Sequence, residues 1–172
     1  ILGISALAVW GGSIEWGEQL KRRVRKVAGR DDLPVTIASD AVAAGLKAHG
    51  VKRKIAIMEP YYPCIEPRLN AVLGAHGYEV VRYCHMRGKS PASYSVLTAQ
   101  DMIKAIRSID GPDVEAIVAF GANLPFAKLA DEAERWLDKP VLQINATTYW
   151  HALRTNGIAD KVWGYGSLLA RF

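Results

Sequence analysis

Apolar positions along this chain form short unbroken runs, which are separated by longer stretches with helical spacing. Short apolar runs between turn residues are typical of buried strands, and apolar residues three or four positions apart are typical of amphipathic helices. Repeated alternation of the two predicts an α/β fold with a mostly parallel sheet. The predicted strands cover residues 1–8, 34–38, 54–58, 79–83, 115–120 and 140–144.

Helix boundaries are marked by capping residues. Ser13 is placed to cap a helix over residues 14–28 that Gly29 ends. Thr98, with an acidic residue three positions later, resembles a capping box, and Pro125 fits the first turn of a further helix. Residues 85–97 have no period and predict a loop.

Two of the predicted strands run directly into glycine, at Gly11 and at Gly121. A third ends at Tyr61. Glycine has no Cβ, so backbone at such strand ends can approach a ligand closely, and the N–H groups of a following helix attract anions. Because ligands of open parallel sheets bind at the carboxyl ends of strands, we expect a small anionic ligand at this edge.

Composition indicates a globular protein of 172 residues, half of them apolar, that can bury a substantial core. No apolar run reaches the roughly 20 residues that span a bilayer, and residues 1–9 lack the charged flank of a signal peptide. We therefore expect a cytoplasmic location and no membrane partner. The chain starts with Ile inside an apolar run, so we expect further residues upstream.

The net charge of +5 is concentrated in a basic run at residues 21–26. A basic run on a helix is usually a solvated face, and no interleaved aromatic residues accompany this one. We therefore predict no binding to nucleic acid. The pattern of residues 164–167 does not fit a dinucleotide fingerprint, and the two cysteines do not have the spacing of a zinc site. These patterns thus predict no nucleotide cofactor and no zinc site.

Tyr61 and Cys64 are the first candidates for chemistry because both follow a predicted strand and precede or begin a helix. The hydroxyl and the backbone N–H of Tyr61 can both face a cleft, although a partly buried aromatic residue is an equal alternative. A helix N-terminus lowers the pKa of a thiol, which favours a reactive Cys64, and an inert buried cysteine is the alternative. Cys84 and His85 are adjacent on a strand and point to opposite faces, which argues against a nucleophile and base pair.

Four segments together resemble a known family: residues 7–12, 57–61, 121–125 and 139–150. Their order and spacing are similar to those of maleate cis-trans isomerase and arylmalonate decarboxylase, within the aspartate/glutamate racemase superfamily. The resemblance implies two Rossmann-like lobes with parallel sheets and a cofactor-free, metal-free cleft between them. It assigns residues 1–48 and 147–172 to a first lobe that lacks an N-terminal βαβ portion, and residues 49–146 to a second lobe.

The resemblance also implies a carboxylate site in which both cysteine positions of the family are occupied by glycine. By strand position and loop length, these positions fall at Gly3 and Gly121. Glycine cannot transfer a proton or add to a double bond, so decarboxylation is favoured over isomerisation. The remaining site would use Ser5 and Tyr61, with Cys64, as catalytic groups. The substrate-binding residues would be Gly3, Ile4, Gly121, Ala122 and Asn123.

The sequence therefore predicts an enzyme that decarboxylates or isomerises a small carboxylate or dicarboxylate through an enolate-like intermediate. Backbone amides and hydroxyls would stabilise that intermediate as an oxyanion hole does. The alternative is a non-catalytic carboxylate-binding relative that has kept the cleft without the acid and base. A homo-oligomer is compatible with either function.

Overall fold

The computed structural model describes the backbone of residues 1–172 and every side chain except that of residue 91. Four parallel strands form one sheet in the order β2-β1-β3-β4. This arrangement confirms the predicted α/β fold with a parallel sheet. The strands are β1 (Lys54–Glu59), β2 (Glu79–His85), β3 (Ala116–Ala119) and β4 (Val141–Gln143).

Helices precede, connect and follow these strands. None of those in the described part of the chain is long and apolar enough to cross a bilayer. The α-helices are α1 (Ser5–Val9), α2 (Ile14–Ala28), α3 (Ala38–Ala48), α4 (Glu66–Ala75), α5 (Pro91–Tyr94), α6 (Ala99–Ile109), α7 (Ala127–Leu137), α8 (Ile144–Thr155) and α9 (Ser167–Arg171), and a 3-10 helix covers Pro63–Ile65.

Strands β1, β3 and β4 are buried on both faces of the sheet, and β2 is partly exposed. The side chains of the sheet alternate between two apolar clusters. Ile55 and Val118 face one cluster, which also contains residues of α1, α3 and α4. Met58 and Ile117 face the other cluster, with residues of α6 and α7. Near-continuous apolar strands are expected in such a sheet, since helices cover both of its sides.

The register of the sheet places the carboxyl ends of its strands along one edge. Glu59 at the end of β1 is opposite His85 at the end of β2. On the other side of β1, Met58 pairs with Ala119, which in turn pairs with Gln143. The loops after β1 and β3 therefore leave the sheet side by side, and this edge carries the candidate site.

The predicted strand over residues 1–8 is wrong, because residues 5–9 form helix α1. Ser5, Ala8 and Val9 are its buried residues, and their spacing of three and four is helical. A short apolar run with two alanines does not distinguish strand from helix by periodicity. The first of the two glycine-terminated strands therefore does not exist, and Ser5 begins a helix.

The predicted strand over residues 34–38 is also not formed. The segment before α3 is extended, with φ −121° and ψ 158° at Ile37, but it joins no sheet. One backbone hydrogen bond, from Leu2 N–H to the Thr36 carbonyl at 2.9 Å, connects it to the segment before α1. Pro34 lacks the N–H that a ladder would require.

The predicted limits of α2 are confirmed. The Ser13 hydroxyl accepts a hydrogen bond from Trp16 N–H at 3.2 Å, and Gly29 ends the helix with a left-handed φ of 64°. The basic run lies on this helix, where Arg22, Arg23 and Lys26 are exposed. This exposure agrees with a solvated basic face.

Three other helix limits add detail. The capping box at Thr98 is confirmed, since its hydroxyl accepts from Asp101 N–H at 3.2 Å and the Asp101 carboxylate accepts from Thr98 N–H. The predicted position of Pro125 is wrong, because α7 begins at Ala127. The predicted loop over residues 85–97 contains α5, which Ser90 caps through a local capping box that the composition did not reveal.

Candidate functional site

Ser5 lies at the centre of the candidate site. It is the first residue of α1, and only 3% of its surface is exposed. Its hydroxyl oxygen accepts a hydrogen bond from Ala122 N–H at 3.1 Å and lies 3.2 Å from the hydroxyl oxygen of Tyr61. A single side chain thus connects the start of α1 with the loops that follow β1 and β3.

Tyr61 reaches this position two residues after the end of β1. Its backbone N–H donates to the buried carboxylate of Glu59, and its ring packs edge-on against Tyr94 with centroids 5.7 Å apart. Burial raises the pKa of Tyr61 above its ordinary value, and the hydrogen bond with Ser5 only partly opposes this. The phenol therefore keeps its proton at neutral pH and remains a hydrogen-bond donor.

Gly121 and Ala122 complete this cluster from the loop after β3. An added Cβ at Gly121 would lie 2.6 Å from Pro60 Cδ, so the loops after β1 and β3 are in close contact at this point. The Ala122 carbonyl accepts from the Asn145 side-chain amide at 2.8 Å, which fixes the loop to the start of α8. Asn123 follows in the same loop and is exposed.

Gly3 and Ile4 lie directly before Ser5, and both are exposed. No heavy atom lies within 4 Å of the position that a Cβ at Gly3 would occupy. The two predicted glycines therefore differ physically: Gly121 is enclosed by packed atoms, and Gly3 borders open space.

Cys64 is exposed on the short 3-10 helix, and α4 begins separately at Glu66. Its carbonyl accepts from an Arg68 guanidinium nitrogen at 2.9 Å. The hydrogen bonds that join Ser5, Tyr61 and Ala122 do not include Cys64. The structure thus brings together Ser5, Tyr61 and the loop after β3, and it leaves Cys64 outside their hydrogen-bonded cluster.

Glu59, His85 and Glu66 form a second polar cluster that the sequence did not predict. His85 Nδ1 is hydrogen-bonded to the Glu59 carboxylate, and His85 Nε2 lies 2.6 Å from Glu66 Oε1. Glu59 is fully buried, and burial raises its pKa against the opposing effect of His85. The sequence does show one signal for this cluster, which is a charged residue at the end of an apolar strand. It does not show the strand register that places this residue opposite His85.

Cys84 and His85 face opposite sides of β2, as their adjacency predicts. Cys84 packs with the cluster that contains α6, whereas His85 is directed to Glu59 and Glu66. The geometry is therefore consistent with the prediction that Cys84 and His85 do not act as a nucleophile and base pair.

The Ser5 cluster presents two hydroxyl groups that share one hydrogen bond. A carboxylate oxygen placed beside both of them would accept a hydrogen bond from each, because both hydroxyls can rotate their protons toward an anion. Hydrogen bonds to a charged acceptor are shorter and stronger than neutral ones. The arrangement is thus chemically suited to a carboxylate or to an oxyanion that develops from it.

Comparison with known proteins gives consistent matches. The model of the arylmalonate decarboxylase family matches residues 2–169. The chain is 32% identical to an arylmalonate decarboxylase of Bordetella bronchiseptica over 140 residues, which are 79% of this chain and 58% of that protein. It is 22% identical to a maleate isomerase of Alcaligenes faecalis over 140 residues, which are 81% of this chain and 55% of that protein. It therefore spans little more than half the length of these relatives.

The fold also matches solved structures. A maleate cis-trans isomerase variant of Nocardia farcinica, solved with a covalently bound succinylcysteine intermediate, superposes with a TM-score of 0.88 at 22% identity. The superposition covers 98% of this chain and 69% of that chain.

Proposed function

This chain belongs to the arylmalonate decarboxylase family, and on that premise we propose that it binds a small carboxylate or dicarboxylate at Ser5, Tyr61 and the 121–123 loop. The family comprises cofactor-independent decarboxylases and isomerases. The observation that carries the proposal is the Ser5 hydroxyl, which lies between Tyr61 and the Ala122 N–H. The related proteins are named for maleate and arylmalonate, both of which are dicarboxylates.

The proposed reaction passes through an enolate-like intermediate. Loss of carbon dioxide from a malonate-type substrate leaves an electron pair that delocalises onto the remaining carboxylate as an enediolate, and a proton then adds to the carbon. Ser5 and Tyr61 would donate to the enediolate oxygens, and the Ala122 N–H, which donates to the Ser5 hydroxyl oxygen, would orient that hydroxyl. Removal of one such donor typically costs about 2.7 to 4 kcal/mol of transition-state stabilisation.

The glycines at positions 3 and 121 favour decarboxylation over isomerisation within this proposal. The family resemblance places the two cysteines of the racemases at these positions, and glycine provides neither a thiol nor any other acid. Packing supports a site adapted to glycine at position 121, since Pro60 fills the space of a Cβ. The proton would then come from water or from Cys64, whose exposed thiol is the predicted donor.

The same two glycines favour a second candidate, a carboxylate-binding protein without catalysis. In that case the Ser5 cluster would hold the ligand, and no group would complete a proton transfer. Binding without turnover is what separates this candidate from the first.

We further propose that residues 49–146 form one lobe and residues 1–48 with 147–172 belong to another. All four strands lie within residues 49–146. Helix α8, most of which lies after residue 146, packs against α3, which lies within residues 1–48. Both observations support the division. A homo-oligomer and a cytoplasmic location remain predictions.

Calorimetry with malonate, maleate and succinate tests the proposal on the full chain. We expect Tyr61→Phe to weaken binding by about tenfold or more, since a hydrogen bond to a charged group contributes about 1.5 to 3 kcal/mol. Tyr62→Phe is the matched control, because Tyr62 is the adjacent tyrosine and is half exposed. Equal losses in both variants, or no binding of any of the three acids at millimolar concentration, would contradict the carboxylate site.

Release of carbon dioxide from an arylmalonate separates the two candidates. Turnover supports the enzyme, and binding without turnover supports the non-catalytic relative. Within the first outcome, Cys64→Ser should lower kcat by about tenfold, or about 1.4 kcal/mol, if the thiol delivers the proton. Unchanged turnover in that variant would assign protonation to water.

A further inference from the structure

A line of three polar side chains runs from the interior to the surface behind Tyr61. Glu59 is fully buried at the end of β1, and His85 lies opposite it in the register of the sheet. One ring nitrogen of His85 is hydrogen-bonded to Glu59, and the other lies 2.6 Å from the carboxylate of Glu66 at the start of α4. The side chain of Glu66 is 36% exposed, so the line ends at solvent.

The geometry requires one shared proton. A neutral imidazole carries a single N–H, so it can donate to only one of two carboxylates. Both contacts are hydrogen bonds only if the imidazole is charged or if one carboxyl is protonated. In either protonation state, the three groups have a combined charge of −1. Loss of the shared proton would leave two carboxylates and a neutral imidazole, with a combined charge of −2.

The phenols around this line are neutral. The Tyr83 ring stacks on His85 with centroids 5.4 Å apart, and its hydroxyl donates to the Asn70 side chain. Burial raises the pKa values of Tyr83 and Tyr94, which keeps both phenols neutral. Tyr61 is neutral for the same reason.

Arginine and lysine do not replace the imidazole in this role. Within the described residues, the salt bridges of Glu59 and Glu66 are those with His85. Arg68 lies on the same helix as Glu66, but it donates to the carbonyls of Trp10 and Cys64. The shared proton is therefore what balances two closely spaced carboxylates.

Glu59 also holds the backbone that carries Tyr61. One of its carboxylate oxygens accepts from Tyr61 N–H, and the other contacts His85. The adjacent carbonyls are held by the segment that follows β2, since Met86 N–H donates to the Glu59 carbonyl and Gly88 N–H donates to the Pro60 carbonyl, both at 2.9 Å.

We propose that Glu59, His85 and Glu66 are a positioning network that shares one proton and fixes Tyr61 through its backbone N–H. None of the three needs to touch the ligand. When the shared proton is lost, the neutral imidazole can donate to only one of the two carboxylates, and the hydrogen bond between Glu59 and Tyr61 N–H changes with it. The consequence for carboxylate affinity rests on the proposed function, whereas the link between the proton and Tyr61 does not.

Nuclear magnetic resonance of Tyr61 tests this link without any ligand. Pro60 and Tyr61 are the only Pro-Tyr pair in the sequence, so carbonyl-13C-proline with 15N-tyrosine labelling isolates one amide signal. We expect this signal to shift with pH in a single step, because the three groups share one proton. Glu66→Gln should move the step to lower pH, because it removes a negative charge that holds the proton.

Glu59→Gln should reduce the amide shift to a minor fraction of its original size, since the amide side chain cannot ionise. Glu115→Gln is the matched control: Glu115 accepts from three backbone N–H groups, of Lys52, Arg53 and Lys54, at the opposite edge of the same sheet. It should leave the Tyr61 step unchanged. Circular dichroism shows whether each variant is folded. If Glu59→Gln does not fold, Glu66→Gln still tests the network, because Glu66 is partly exposed and its replacement disturbs the core less.

A flat Tyr61 signal, or a step that Glu66→Gln leaves in place, would overturn the network. If the step behaves as expected, the affinity for malonate should fall by about tenfold across it, which is about 1.4 kcal/mol. The expected step together with an affinity that does not change would overturn the control of binding by this network. The expected step with no binding of malonate at any pH would overturn the proposed function and leave the network supported.

Discussion

Replacing Gly121 with alanine tests how tightly the site is built. The added Cβ would lie 2.6 Å from Cδ and 2.9 Å from Cγ of Pro60, and 3.2 Å from a methyl carbon of Leu124. The Pro60 atoms belong to a ring that is closed onto the backbone, so they cannot move away as the end of a flexible side chain would. Relief of the overlap requires the backbone next to Tyr61 to shift.

Overpacking of this kind typically costs about 1 to 3 kcal/mol of unfolding free energy. For a chain of this length, each kcal/mol lowers the melting temperature by roughly 2 to 4 °C. We therefore expect Gly121→Ala to melt roughly 2 to 12 °C below the wild type. Calorimetric or fluorescence-monitored unfolding measures this directly.

Gly3→Ala is the matched control for the same substitution. No heavy atom lies within 4 Å of its added Cβ, so we expect a melting temperature equal to or slightly above that of the wild type. If Gly121→Ala and Gly3→Ala melted together, the loops after β1 and β3 would not be in the close contact described, and the packing argument for glycine at position 121 would fail.

Two further predictions concern stability. Burial raises the pKa of Glu59 above its ordinary value of 4.5, so the folded chain holds a proton that the unfolded chain has released. The free energy of unfolding should therefore fall as pH rises through the raised pKa. Urea titrations measure this slope, and Glu59→Gln should remove it. Ser13→Ala should lower the free energy of unfolding by about 1 kcal/mol through loss of the cap on Trp16 N–H, and an unchanged urea midpoint would argue against that cap.

The sequence predicted β1 and β3 well because these central strands are buried on both sides. Continuous apolar runs at residues 55–58 and 116–120 mark strands of this kind with few alternatives. The same signal failed at residues 1–8, where a short run containing alanine forms α1. The family resemblance pointed to Ser5, Tyr61 and Ala122, and the structure places them in one hydrogen-bonded cluster.

The network behind Tyr61 could not be predicted in the same way. Glu59 and His85 are 26 positions apart, and only the register of two parallel strands brings them together. Glu59 also violates the rule that ionisable residues avoid interiors, and it is tolerated because Tyr61 N–H and His85 both hydrogen-bond to its carboxyl group. Sequence patterns identify which strands exist, but not which of their terminal side chains meet.

The hydrogen bonds of Ser5 have a consequence for the order of folding. Ser5 and Tyr61 are separated by 56 positions and Ser5 and Ala122 by 117, so these contacts close very long loops. Contacts of this separation carry the largest loop-closure entropy and slow the rate at which a topology is reached. These hydrogen bonds exist only where α1 is docked against the loops after β1 and β3, so a form with α1 undocked lacks the proposed carboxylate site. A ligand that binds there selects the fully folded chain and stabilises it in proportion to the logarithm of its concentration.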